Sequence, residues 1–313
     1  IYCYNDNGNI RVQVVWTLDF SVNFREYTSS NNSWGYISGV SFVQGPPSLL
    51  GSIAKPVISK GWVALQYPKD AQGTTKAIAV LKYNQGAWRQ SVDMPSVSNQ
   101  VGRAAIYFDD LNKLHVVCED TGSIFYNAAQ MGNSDPVWTL SSSTNISSGS
   151  GRSNNSSPSI DGRGQLAYVV WEGQNSSTQK KEIILRTKNS YNVWSSCIYF
   201  GCNSACSSQL NFYEPVISKL AIDQMGLVWR DQTNNIWGSR LDENTSYEWM
   251  VYKLNAIALH PTLYNDNSGN AKVLYTQNSG AAPYRLCFTE ISSIAPRPAP
   301  YFPPNGTNNT GLG

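Results

Sequence analysis

The sequence predicts an all-β chain folded as a six-bladed β-propeller, with one strand-rich repeat of about fifty residues per blade. Three observations carry this: a composition poor in charge and rich in aromatic rings, a phrase that recurs six times, and a Trp that follows the polar turn in five of the six repeats.

Of 313 residues, 12% are aromatic (ten Trp, eighteen Tyr, nine Phe) and only 14% are charged. A typical soluble domain carries about 25% charged residues, and surface helices need them for solvated faces and i,i+4 pairs. Here Ser, Thr and Asn do the solvating, and they suit turns and strand edges.

The repeated phrase is a Pro or small residue, an alternating apolar stretch, a polar turn, and a strand that ends on an aromatic. It runs from Pro56-Val57-Ile58 to Tyr67, from Pro158-Ser159-Ile160 to Trp171, from Pro215-Val216-Ile217 to Trp229, and from Pro261-Thr262-Leu263 to Tyr275. Ala105-Ile106-Tyr107 to Cys118, and Ile1-Tyr2-Cys3 to Trp16, are weaker copies. The starts lie 55, 49, 53, 57 and 46 residues apart. A third alternating segment follows, such as Ile183–Arg186 or Ile236–Arg240, and then Trp34, Trp88, Trp138, Trp194 or Trp249. Alternation alone also fits a β-sandwich; the in-phase copies favour blades, which bury both faces by stacking. Residues 1–291 form the expected propeller. Residues 292–313, with five Pro followed by an Asn/Gly/Thr run, read as an extended tail or linker.

A net charge of +2 and the absence of a dense Lys/Arg cluster argue against nucleic acid as a partner. No apolar run reaches the ~20 residues of a membrane-spanning helix. The two His, His115 and His260, offer no metal cluster, and no phosphate-binding loop occurs, so no cofactor is expected. Six Cys with so few His favour disulfides: Cys3 with Cys287 to join the first and last blades, and one local bridge among Cys197, Cys202 and Cys206. Cys118 stands where other repeats carry Trp and reads as a buried thiol. Eight glycosylation sequons occur, at Asn31, Asn145, Asn154, Asn155, Asn175, Asn244, Asn305 and Asn308. Together with the cysteines they point to a secreted or cell-surface glycoprotein whose leader has been removed.

Glycoside hydrolysis needs two facing carboxyls. Glu119-Asp120, Glu172 and Asp231 instead stand at equivalent places after the aromatic-ended strands, which suits a turn-capping role. Sialidase-type turns are absent, so the sequence reading is that the chain is not an enzyme. Sugar binding fits better, because flat rings cover a pyranose while guanidinium and carboxylate engage its hydroxyls.

Ile10-Arg11-Val12-Gln13-Val14-Val15, then Phe24-Arg25-Glu26-Tyr27, then Trp34 resembles the repeat of the fungal fucose-specific lectins, which are six-bladed propellers. Tyr83-Asn84-Gln85-Gly86-Ala87-Trp88 is similar to that family's Tyr-x-Gly-x-x-Trp turn, with the Gly shifted by one place. The resemblance implies a carbohydrate site, for a fucose-like sugar, in which Arg11 and Glu26 of one blade face Tyr83 and Trp88 of the next. Later repeats lose the motif: Val80, Tyr126, Arg186, Gly238 and Phe288 stand near the place of the Glu, and Ala167 and Lys272 near that of the Arg. The function expected is a lectin-like, glycan-binding surface adhesin. The alternative is a non-catalytic structural or protein-interaction propeller, with a propeller glycosidase less favoured.

Overall fold

The structure, a computed structural model, describes residues 2–18, 21–39, 56–70, 72–84, 87–89, 92–95, 97–98, 100–132, 135–200, 210–221, 224–242, 249–257, 259–265, 271–277 and 285–291. The proposed tail, 292–313, lies outside these. Among the described residues there are strands and turns and no helix.

The chain divides into two compact units after Ile146. In the first, sheet 1 contains β1 (Tyr2–Asp6), β2 (Asn9–Leu18), β3 (Ser21–Thr28), β4 (Ser33–Trp34) and β5 (Ser38–Gly39). Sheet 2 contains β6 (Val57–Ser59), β7 (Trp62–Pro68), β8 (Lys76–Asn84), β9 (Ala87–Trp88) and β10 (Val92–Asp93). Sheet 3 contains β11 (Val101–Phe108), β12 (Lys113–Asp120), β13 (Ser123–Met131), β14 (Pro136–Trp138) and β15 (Thr144–Asn145).

In the second unit, sheet 4 is β16 (Arg152–Arg163), β17 (Leu166–Asn175), β18 (Lys181–Lys188) and β19 (Ile198–Phe200). Sheet 5 is β20 (Phe212–Ala221), β21 (Gln224–Asp231), β22 (Asn235–Asp242) and β23 (Trp249–Ile257). Sheet 6 holds β24 (Leu259–Asn265), β25 (Ala271–Gln277) and β26 (Arg285–Ile291). The strand pairings within these sheets are antiparallel, and the main strands of each sheet follow one another as hairpins.

Each sheet therefore coincides with one sequence repeat. The turns form because Asn7-Gly8, Lys60-Gly61 and Thr121-Gly122 take two consecutive positive φ angles, 51° and 88°, 47° and 75°, 46° and 76°. Two left-handed residues match a tight hairpin to the twist of its strands. The recurrent Trp opens the outer edge: Trp34 pairs with Tyr27, Trp88 with Tyr83, Trp138 with Ala129 and Trp249 with Leu241, while Trp194 makes a lone bridge to Lys188.

The prolines that open the phrase have a structural reason. Ser157, Glu214 and His260 each precede one of them, and each takes a positive φ (53°, 55° and 52°) where the first strand of its sheet slips register. A residue before Pro is pushed out of the right-handed helical region. Here it supplies a bulge that bends the first strand.

The second strands β7, β12, β17 and β21 are buried on both faces over most of their length. β7 is buried along its whole length, and so is Leu114–Cys118 of β12, which is why these segments read as nearly continuous apolar runs. Val22 and Phe24 of sheet 1 pack with Val63, Leu65, Tyr67, Ala79 and Leu81 of sheet 2. The opposite face of sheet 2, Trp62, Ala64, Ile78 and Val80, packs with Leu114, Val116, Cys118 and Ala129 of sheet 3. In the second unit Val170, Ile183, Leu185 and Phe200 of sheet 4 meet Phe212, Leu227 and Trp229 of sheet 5.

A first strand is a sheet edge with backbone groups to satisfy. Within each unit, polar side chains of the preceding sheet take part of that load. Asp161 accepts from Lys219 N at 2.7 Å and Glu172 from Glu214 N at 2.9 Å, both in β20, and Gln13 Oε1 accepts at 2.7 Å from Gly61 N in the turn that follows β6.

Candidate functional site between sheets 1 and 2

In β2 the side chains of Arg11, Gln13 and Val15 share one face, and in β3 Phe24, Glu26 and Thr28 lie directly opposite them. Val15 and Phe24 belong to the apolar seam with sheet 2. The seam then gives way to a polar cap. Arg11 Nη1 donates to Glu26 Oε1 at 2.6 Å, and Gln13 Nε2 donates to Glu26 Oε2 at 2.6 Å. Gln13 is buried, and its amide oxygen holds the Gly61 N–H of the neighbouring sheet. Arg11 and Glu26 keep 31% and 20% of their side-chain surface open, so the pair is half-buried.

Tyr83 and Trp88 pair across β8 and β9, with ring centroids 5.2 Å apart. Phe24 joins them to sheet 1, at 5.0 Å from Tyr83 and 5.4 Å from Trp88, edge-on to the latter. Tyr83 N also donates to Gly61 O at 2.8 Å, so Gly61 is held from both sides. The four residues singled out in the sequence thus line one inter-sheet seam, with Arg11 and Glu26 in direct contact and Phe24 linking sheet 1 to the two rings. Gln85 and Gly86 of the turn between the rings lie outside the described residues. Trp88 is half-buried and its indole nitrogen is enclosed without an acceptor, as is that of Trp138 at the same place in sheet 3. It contributes to packing as well as to any exposed ring surface.

Sequence reading missed Gln13, Phe24 and Gly61. Their only signal is position: Gln13 two residues after Arg11, Phe24 two before Glu26, and Gly61 in a Lys-Gly turn. It also located the later equivalents of Glu26 only approximately. In sheet 1, Glu26 is the residue before the one paired with the recurrent Trp; by that register its counterparts in sheets 2 to 5 are Lys82, Ala128, Thr187 and Arg240. Val80, Tyr126, Arg186 and Gly238 stand one or two places away. Unequal hairpin lengths hide the offset in the sequence.

The carboxylates that follow the second strands do different jobs. Asp231 caps its own turn, accepting from Thr233 N, Asn235 N and Trp237 Nε1. Asp120 holds the segment before its sheet through Ser98 N and Oγ. Glu172 departs from the turn-capping expectation: it takes Lys181 Nζ at 2.7 Å and the backbone of sheet 5.

His115 is buried in β12, bonded to Tyr126 at 2.8 Å and to Asp109 at 3.0 Å. Burial pushes the Asp109 carboxyl up, but bonds from His115, Lys113 N and Leu111 N outweigh it, and the net direction is down. Burial raises the Tyr126 phenol. His260 sits exposed beside Glu214, which Arg230 also grips.

Among the described residues no group of three or more His, Cys, Asp or Glu side chains is arranged to hold a metal ion, and no helix is long and apolar enough to cross a membrane. Cys118 is a buried thiol beside Met94, its pKa raised by burial and by the nearby Asp120 and Glu119. The side chains of Cys3, Cys202 and Cys206 lie outside the described residues, as do Asn244, Asn305 and Asn308. Cys197 and Cys287 are half-buried. Asn31 and Asn154 are exposed, and Asn145 and Asn175 half-buried. Asn155 must be removed from the glycosylation candidates: it is buried, its Oδ1 takes Trp171 Nε1, and its Nδ2 donates to Arg152 O.

No protein-family profile and no curated protein matches the chain. Solved structures do. An ulvan lyase, a polysaccharide lyase bound to -[GlcA(1-4)Rha3S]-, aligns with a TM-score of 0.59 at 13% identity, over 92% of this chain and 79% of the lyase. A protein of unknown function from Dyadobacter fermentans aligns at 0.56 and 9% identity, over 91% of both chains. The lectin of Aleuria aurantia, a six-bladed β-propeller with a novel fucose recognition mode, aligns at 0.50 and 14% identity, over 94% of this chain and 91% of the lectin.

At such identities the likeness shows the fold: the chain is a β-propeller, and its six sheets are the blades. The expectation that it is not an enzyme is corrected here. The same fold, over the same share of the chain, carries a polysaccharide lyase, so missing glycosidase motifs do not set catalysis aside.

Proposed function

We propose that this chain is a glycan-binding propeller and that the seam between sheets 1 and 2 holds one of its sugar sites. The observation that carries the reading is the junction of a half-buried Arg11–Glu26 pair with the Phe24, Tyr83 and Trp88 rings. Guanidinium and carboxylate provide directional donors and acceptors for hydroxyls, and the rings provide an apolar face for the sugar's C–H surface. Gln13 fixes Glu26 from behind, so the carboxylate is oriented before a ligand arrives. Solved propellers of this fold include a fucose-recognising lectin and a lyase bound to a uronate-containing polysaccharide, and both take saccharides. A fucose-like sugar is our first candidate, on the resemblance of the Arg11, Glu26 and Trp88 motifs. We place the protein outside the cell, as a surface-exposed lectin, on its cysteines and sequons.

A glycan array tests this, followed by titration of Arg11→Ala and Trp88→Ala with the best ligand. Each variant is expected to bind about tenfold more weakly or worse, the loss of one charge-assisted contact or one stacked ring. Folded variants that keep wild-type affinity would move the site elsewhere, and a blank array would sink the reading.

A further inference from the structure

The register that aligns Glu26 with Lys82 also aligns Arg11 with Lys60 and Gln13 with Trp62. Gln13 lies opposite Glu26 as Trp62 lies opposite Lys82, and Arg11 and Lys60 each stand two residues earlier. The place of a guanidinium–carboxylate pair is therefore taken, one sheet on, by two ammonium groups, on the face of sheet 2 that packs against sheet 3.

Lys82 Nζ donates to Lys60 O at 2.6 Å and lies 5.5 Å from the Trp62 ring and 5.6 Å from the Phe108 ring. Lys60 Nζ sits 5.1 Å from the same Phe108 ring. Among the described residues no carboxylate pairs with either lysine within 4.0 Å. Burial, and then the charge of Lys60, lowers the Lys82 ammonium from 10.5 to about 8. Two like charges held over one aromatic ring are only partly offset by its π face. An anion between them removes the repulsion.

We infer that Lys60 and Lys82, with half-buried Phe108 beneath them, form a subsite for the acidic group, carboxylate or sulfate, of a saccharide. The inference rests on the glycan-binding reading and adds a ligand class to it: where Arg11 and Glu26 suit hydroxyls, the lysine pair suits an oxyanion and Phe108 the ring that bears it. Protonated Lys82 is the binding form, so affinity falls as pH rises through about 8.

The experiment compares the wild type with Lys60→Ala and Lys82→Ala by calorimetry, using oligogalacturonate, a sulfated dextran oligosaccharide, neutral dextran of equal length, and inorganic sulfate. The wild type should prefer one or both acidic saccharides over neutral dextran, and the two acidic probes separate carboxylate from sulfate. Each lysine variant should lose about tenfold for the preferred acid and nothing for neutral sugar. Lys60 is exposed in a turn, so Lys60→Ala remains a test even where Lys82→Ala fails to fold.

Variants that bind acidic saccharide like the wild type overturn the inference, as does a wild type blind to the acid. If Arg11→Ala still abolishes neutral-glycan binding in that case, the glycan reading stands and only the lysine subsite falls. Binding of inorganic sulfate without any saccharide overturns both.

Discussion

Gln13 is the strut on which the proposed site between sheets 1 and 2 depends, and Gln13→Ala tests it. The substitution removes three things at once. It breaks a bond to an ionised carboxylate, Nε2 to Glu26, worth about 1.5–3 kcal/mol. It breaks a neutral bond to Gly61 N–H, worth about 1 kcal/mol, and it leaves that N–H buried without its partner, at a cost of about 1–3 kcal/mol. Some of this is recovered by relaxation and by water entering beside half-buried Glu26, so a net loss of about 3 kcal/mol is expected. At roughly 2.1 cal/mol/K per residue, cooperative unfolding of 313 residues then shifts by about 5 °C.

The comparison that isolates the strut is Arg11→Ala, which removes a 31%-exposed partner from the same carboxylate and should cost about 1 kcal/mol or less. Urea titrations of both variants, with m checked against the wild type, read the difference directly. A Gln13→Ala protein within about 0.5 kcal/mol of the wild type, or no worse than Arg11→Ala, refutes the strut argument.

Two further predictions concern pH. Lys82 is charged in both folded and unfolded chains below pH 8, where its burial penalty is fully present. Between about 8 and 10.5 the unfolded chain binds a proton that the folded chain does not, so stability rises with pH in that window. Urea midpoints at pH 7.5 and 10 should therefore rise more in the wild type than in Lys82→Met, and equal rises would contradict the burial of the ammonium. Asp109 runs the other way: its carboxyl is lowered from 3.8, so its contribution is present above that value and fades as pH falls through the folded value. Asp109→Asn should cost about 2–4 kcal/mol at pH 7 and flatten the acid limb of the stability profile; an unchanged limb means His115 and the turn do not depend on the charge.

The sequence by itself determined the strand-rich class, the six repeats and their spacing. Each blade is a local object: alternation sets the faces, Asn-Gly and Lys-Gly pairs set the hairpins, and a Trp opens the outer strand. It also showed Arg11, Glu26, Tyr83 and Trp88 as an unusual set. What it did not show is everything that depends on the seam between sheets. Gln13 looks like one more polar residue in a strand until Gly61, forty-eight positions away, supplies its partner. Asn155 reads as a sequon until Trp171 covers it. Lys82 looked unrelated to Glu26 because hairpin lengths differ between repeats, and only hydrogen-bond register aligns the two. Catalysis was set aside from missing motifs, yet a lyase shares the fold. Local pattern specifies a strand and its faces; which polar groups meet across a seam depends on packing two sheets together, and no short stretch of sequence encodes that.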